Sequence, residues 1–259
     1  MLDWRGTEVE VATSAGGVLA LANPWENVIR TDVLPWPPPE LVQKLYQSRQ
    51  IRAFRGPDEA IATKALRFYS DLQSLHSEDA ITWSVFGPVA YAAPPVRVSF
   101  AGALLKLIDV PSGPISTANV WLWRRLTHPD TLVPGGPEVD FGVQTEDVFL
   151  VGEAKWLSSI GATQGVYRDK DQITLRREFC AKYGCRLIPS CRRFVILGVS
   201  LGGKIVLRTD AEVDGAAIHG RDITWKDLVG LDAHPRPPRF DRTSCGNKVV
   251  RAPDNDTAA

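Results

Sequence analysis

The chain has 259 residues, 44% of them apolar, with 30 basic and 30 acidic residues, enough for a sizeable core in one elaborated domain or a domain plus an accessory region. Zero net charge argues against a protein that coats nucleic acid over its whole surface, but it leaves room for a basic face beside an acidic site. No run approaches the ~18 apolar residues of a membrane span, no secretory leader is visible at Met1-Leu2-Asp3-Trp4-Arg5, and four cysteines suit a reducing interior, so a cytoplasmic protein without membrane association is expected.

Residues 1–39 read as irregular and close on Pro35-Trp36-Pro37-Pro38-Pro39, where no helix can run. Helices are expected over Glu40 to Arg49 and over Pro57 to Leu75, the second carrying Ile61, Ala65, Leu66, Tyr69 and Leu72 at helical spacing. Ser77 reads as the N-cap of a helix from Glu78 to about Ala90, with acidic residues in its first turn. Val96 to Leu107 reads as strand then helix, and the alternation in Asn119 to Leu126 as a strand. After the turn cluster Pro134-Gly135-Gly136-Pro137, two apolar runs, Val139 to Val143 and Val148 to Ala154, read as a β-hairpin joined by Gln144-Thr145-Glu146-Asp147. Gly161 to Gly165 is a loop, and Val166 to Tyr183 a helix ended by Gly184. Strands over Phe194 to Ser200 and Lys204 to Arg208 flank Leu201-Gly202-Gly203, and Ile223 to Val229 is a short final helix. The expected fold is α/β, with a mixed, partly antiparallel central sheet flanked by helices. Three regions are expected: an extension over 1–76, irregular then helical, a core over 77–232, and a loose tail over 233–259.

The hairpin gathers three ionisable residues at one end. Asp140 begins its first strand, while Glu153 and Lys155 close its second, two positions apart and therefore on one face. Two carboxylates suit Mg²⁺, or Mn²⁺, with the Ala154 carbonyl and a phosphate to fill the shell. Such an ion acidifies a bound water and neutralises charge on a phosphate, and a neighbouring lysine stabilises what remains. The plain alternative is a salt-bridged cluster at a hairpin end.

Asp140, a spacer of 12 residues and then Glu153-Ala154-Lys155 resembles the PD-(D/E)XK nuclease superfamily, the restriction-endonuclease-like fold. The order of elements agrees: a helix, a strand, the hairpin, a helix and another strand. The family writes Pro directly before the Asp; here Val139 stands there and Pro137 lies three residues ahead of Asp140. The resemblance covers about Ser77 to Val229. It implies an Mg²⁺-dependent nuclease, acting on DNA with RNA left open, and a homodimer where both strands are cut. It also implies an extra acidic residue from the helix before the sheet, where Glu78 stands as a further metal ligand. A Gln on the helix after the lysine strand is implied too, and Gln172 holds that place. The branch with Gln-x-x-x-Tyr would want Tyr at 176, where this chain has Arg176. The other reading is a nuclease-fold protein without catalysis that binds nucleic acid or a partner.

Residues 164–193 carry eight basic and three acidic residues, and Arg168, Lys170, Arg176 and Arg177 read as candidate phosphate contacts. Cys180, Cys185 and Cys191, with Cys245 distant, fit no zinc knuckle, and free thiols are expected rather than an iron–sulfur cluster. His76, His128, His219 and His234 are scattered, and no histidine catalysis is expected. Trp83, Trp121, Trp123 and Trp225 read as core aromatics.

Overall fold

The computed structural model describes residues 2, 7–13, 19–47, 70–126, 138–158, 170–235, 239–241 and 249–251. The chain divides into two compact units, Met1–Tyr91 with Arg236–Ala259, and Ala92–Pro235. The sequence boundary at 76/77 differs from this division. The helix from Glu78 lies in the first unit, and the sheet-bearing unit starts at Ala92.

In the first unit, β1 (Val11–Thr13) and β2 (Leu19–Leu21) pair antiparallel. Helix α1 spans Pro39–Gln47, and α2 spans Glu78–Ala90. Ser77 caps α2 as expected, its hydroxyl accepting from Ala80 N. Trp83 on α2 is fully buried, donates from Nε1 to Ile29 O at 2.8 Å, and packs against Trp36 and Tyr91. Of the expected helix over Pro57 to Leu75, residues up to 69 lie outside the described ones. Its end is instead a 3₁₀ turn, Asp71–Gln73, capped by Ser70.

The second unit holds a six-stranded mixed sheet flanked by helices, as expected. It begins with α3 (Pro94–Leu107), a helix throughout rather than strand then helix. Val96 and Val98 suggested a strand, but Pro94 and Pro95 stand at its first positions, where their fixed φ favours helix and their missing N–H costs nothing. Then follow β3 (Asn119–Arg125), β4 (Glu138–Gln144) and β5 (Val148–Ala154), and next α4 (Gln172–Phe179) and β6 (Arg193–Ser200). The unit continues with β7 (Thr209–Val213), β8 (Ala216–Thr224) and α5 (Trp225–Val229). Their order across the sheet is β3-β4-β5-β6-β8-β7. The first three strands are antiparallel, β5, β6 and β8 are mutually parallel, and β7 is antiparallel to β8. A parallel step needs a crossover, and α4 supplies it between β5 and β6.

Helix α4 covers one face of the sheet. Ile173, Phe179, Cys180 and Tyr183 join Trp121, Phe149, Val151, Phe194 and Ile196 in one apolar core. The helix starts at Gln172, behind the N-cap Asp171, not at 166; residues 159–169 lie outside the described ones. Nor does Gly184 end it: a wide π turn, Cys180–Gly184, leads into Cys185–Leu187. A side chain at 184 would strike the Phe194 ring, so that glycine serves helix–sheet packing rather than a cap.

Two further expectations fail beyond β6. Lys204 to Arg208 is a loop, because the Asp222 carboxylate accepts from Ile205 N and Val206 N, at 2.9 and 2.8 Å, in place of a strand ladder. The strands there are β7 and β8, turning through Asp214 and Gly215 with φ of 52° and 74°, the conformation of a two-residue hairpin turn. The final helix starts at Trp225, two residues later than expected, with Thr224 as its cap. The tail expected to be loose carries β9 (Arg239–Asp241) and β10 (Val249–Arg251), paired antiparallel. No helix among the described residues is long and apolar enough to cross a membrane.

Candidate active site

The site lies where β5 ends beneath α4. Phe149 and Val151 face the helix core, and the two-residue period carries Glu153 and Lys155 to the same face. The β4/β5 register pairs Phe141 with Gly152. The regular ladder stops there, and Val139, next to Asp140, packs in the same core as Phe149 and Val151. Asp140 Oδ2 accepts from Ala154 N at 2.8 Å, which fixes its carboxylate against the strand end. Gly152 makes room in the pair, since a Cβ there would stand 1.9 Å from the Phe141 ring.

Backbone contacts hold Lys155 on both sides. Its N–H donates to Val199 O at 2.8 Å, and its carbonyl accepts from Trp225 Nε1 at 2.9 Å. Its ammonium donates to Ala154 O at 2.9 Å and lies 2.9 Å from Glu153 Oε1. That second contact is an ion pair without hydrogen-bond alignment, so Oε1 is buried with no hydrogen bond. The other oxygen, Oε2, meets Arg176 Nη2 from α4 at 3.1 Å, and Nη2 also donates to Glu138 O. Glu153 and Arg176 are each 1% exposed and Lys155 is 7% exposed, while Asp140 is half-buried. Burial of such charges is tolerable only when they balance. Here two carboxylates face two cations.

The structure therefore brings Asp140, Glu153 and Lys155 together, and adds Arg176. Arg176 is corrected from a phosphate contact to an internal partner of Glu153, because it is buried beneath its own helix. Lys170 pairs with Glu178 at 2.7 Å, and Arg177 donates to Leu207 O at 3.1 Å. Arg168 lies outside the described residues. Gln172 opens α4, half-buried, one turn ahead of Arg176. Glu78 sits half-buried in the first turn of α2, in the first unit. The helix directly before the sheet in its own unit is α3, whose first turn has no acidic residue. Glu78 therefore stands one helix earlier in the chain than the resemblance implies.

Sequence reasoning missed the Arg176–Glu153 pair. The available signal was position: Ile173, Arg176 and Cys180 lie three and four residues apart on the buried stripe of α4. It also missed Asp222, which stands in the same strand row as Glu153, with Gly198 between them. A Cβ at 198 would come within 2.2 Å of Asp222 Oδ1, so glycine leaves the space the carboxylate occupies. Burial raises the Asp222 pKa, against the lowering by its two backbone donors. Cys180 and Cys191 are buried free thiols and Cys185 is partly buried. Burial pushes Cys180 up to about 12, far from a reactive thiolate.

No group of three or more His, Cys, Asp or Glu side chains among the described residues is placed to hold a metal ion. The donor set is smaller: two carboxylates at one strand end and a backbone carbonyl. That set fits Mg²⁺, which is commonly held by one or two carboxylates and completes its shell with water and phosphate oxygens. Glu153 Oε1 is buried in the ion pair with Lys155 and has no hydrogen bond among the described residues. No known protein family, characterised protein or solved structure matches the chain.

Proposed function

We propose that the chain is a metal-dependent nuclease of the PD-(D/E)XK, restriction-endonuclease-like kind, hydrolysing phosphodiester bonds, with DNA as the substrate. The reading rests on one observation, the convergence of three side chains at the end of the hairpin: Asp140 accepts from Ala154 N, between Glu153 and Lys155, which pair at 2.9 Å. The order of elements supports it: helix α3, strand β3, the β4–β5 hairpin, helix α4 and the parallel strand β6. Asp140, Glu153 and the Ala154 carbonyl would hold Mg²⁺ or Mn²⁺, which supplies an acidified water and neutralises charge on the phosphate. Lys155, whose ammonium lies beside Glu153, would stabilise the attacking water or a phosphate oxygen by its charge. The apolar wall of Phe149 and Val151 beneath the site keeps those charges effective by limiting bulk water.

The alternative is a nuclease-fold protein that binds nucleic acid or a partner without cutting. The pairing of Arg176 with Glu153 favours it, because a cation already neutralises that carboxylate. Purified chain incubated with linear, circular and single-stranded DNA and with RNA, in Mg²⁺ or Mn²⁺, separates the two. Cleavage is expected with wild type and lost in Asp140→Ala and Lys155→Ala. Cleavage that survives both substitutions overturns the assignment, and salt-sensitive binding without cleavage in wild type selects the alternative.

A further inference from the structure

Granted the metal-binding reading of the site, we infer that Arg176 is a positioning residue that clamps one oxygen of Glu153 and, by its charge, holds the site's divalent affinity down. The guanidinium is almost fully buried and uses a single nitrogen, Nη2, for both Glu153 Oε2 and the Glu138 carbonyl. Its Nε and Nη1 are buried without a hydrogen-bond partner among the described residues. An arginine used only to brace the fold would satisfy more of its five donors. This one is retained where its charge faces Glu153.

The clamp divides the carboxylate into two unlike oxygens. Oε2 is held on the helix side, and Oε1, beside Lys155, is left without a hydrogen bond among the described residues. Glu153 is thereby fixed to offer one oxygen rather than two. The same cation repels a bound ion. A unit charge roughly 6 Å from a divalent ion weakens its binding about tenfold even at the dielectric of water, and more in a buried site. Weak binding of the free ion suits a site that completes its shell with substrate oxygens, because affinity then rises when the phosphate arrives.

Calorimetric titration of the full chain with MnCl₂, without nucleic acid, tests this. Wild type is expected to bind, and Asp140→Asn to lose the binding. Arg176→Gln and Arg176→Met should bind Mn²⁺ at least about tenfold more tightly, while Arg176→Lys, which keeps the charge, should stay within about threefold of wild type. Unchanged or weaker affinity in both neutral variants overturns the inference while the metal reading stands. Mn²⁺ binding absent from wild type and every Arg176 variant overturns both. Should the neutral variants not fold, wild type decides by NMR. Mg²⁺ should shift the Arg176 Nε–H resonance with the same saturation constant as a calorimetric titration with MgCl₂, and a resonance that does not move overturns the inference.

Discussion

The two ends of one hairpin treat their carboxylates differently. At the turn, Glu146 Oε1 accepts from Ser116 N and Thr117 N, at 3.0 and 2.6 Å, and from both hydroxyls. Those donors hold its carboxyl near pKa 2, led by the Ser116 hydroxyl. Beside it, the Asp147 carbonyl accepts from Arg192 N at 3.0 Å and its carboxylate pairs with Arg193. These are short-range, mostly neutral donors fixed by the backbone, and no divalent ion can improve on them cheaply. At the other end, Glu153 has only two cationic side chains, one misaligned. Each carboxylate leaves one oxygen, Glu146 Oε2 and Glu153 Oε1, without a hydrogen bond among the described residues, so the difference lies in the donors: a carboxylate held by backbone and hydroxyl groups is committed to the fold. One balanced by ammonium and guanidinium can exchange partners, and that is the property a metal ligand needs.

The widest gap between the two ends is expected in turnover. Glu153→Gln keeps the shape and removes the charge, and should lower cleavage at least about 100-fold, whereas Glu146→Gln should leave the rate within about twofold. Equal losses in initial-rate assays would erase the distinction. Next is stability. Glu153→Ala leaves Arg176 buried beside a carbonyl alone, and removing one partner of a buried pair costs about 3–5 kcal/mol. Urea unfolding would read this as a lowered midpoint with an unchanged slope. A loss below about 1 kcal/mol would mean that water enters and solvates the guanidinium. The smallest effect belongs to the turn. Because the folded pKa of Glu146 lies below its ordinary 4.5, the unfolded chain binds the proton first. Its contribution is therefore complete above about pH 4.5 and drains away as pH falls toward 2. Glu146→Gln should flatten that acid limb in a stability–pH titration, and a limb as steep as in wild type would show that other carboxylates carry it.

Legibility followed the range of the forces. The hairpin was readable because both strands alternate about a short polar turn, and a two-residue period alone set Glu153 and Lys155 on one face. That Asp140 lies at the same end followed from the antiparallel run of the hairpin, and its contact with Ala154 N bears this out. Arg176 was misplaced because residue type was weighed above position: an arginine suggests the surface, yet helical spacing put it on the stripe of Ile173 and Cys180. The Asp214-Gly215 hairpin was equally readable from its dipeptide, one of the strongest short-range turn signals. The loop over 204–208 was not. Its apolar residues look like a strand, and what prevents one is the carboxylate of Asp222, more than a dozen residues onward, which only the folded sheet brings into reach.

One contact at the strand end reaches further than its size suggests. The indole of Trp225, 70 residues downstream, is fully buried and donates to the Lys155 carbonyl, while β6 takes the Lys155 amide from the other side. The end of β5 that carries the candidate site thus depends on an anchor laid down late in synthesis, after the last strand of the sheet. A growing chain that has made the acidic residues and the lysine has all the chemistry but not yet its alignment. Loss of that uncharged ring would release the Lys155 carbonyl and with it the alignment of the strand end.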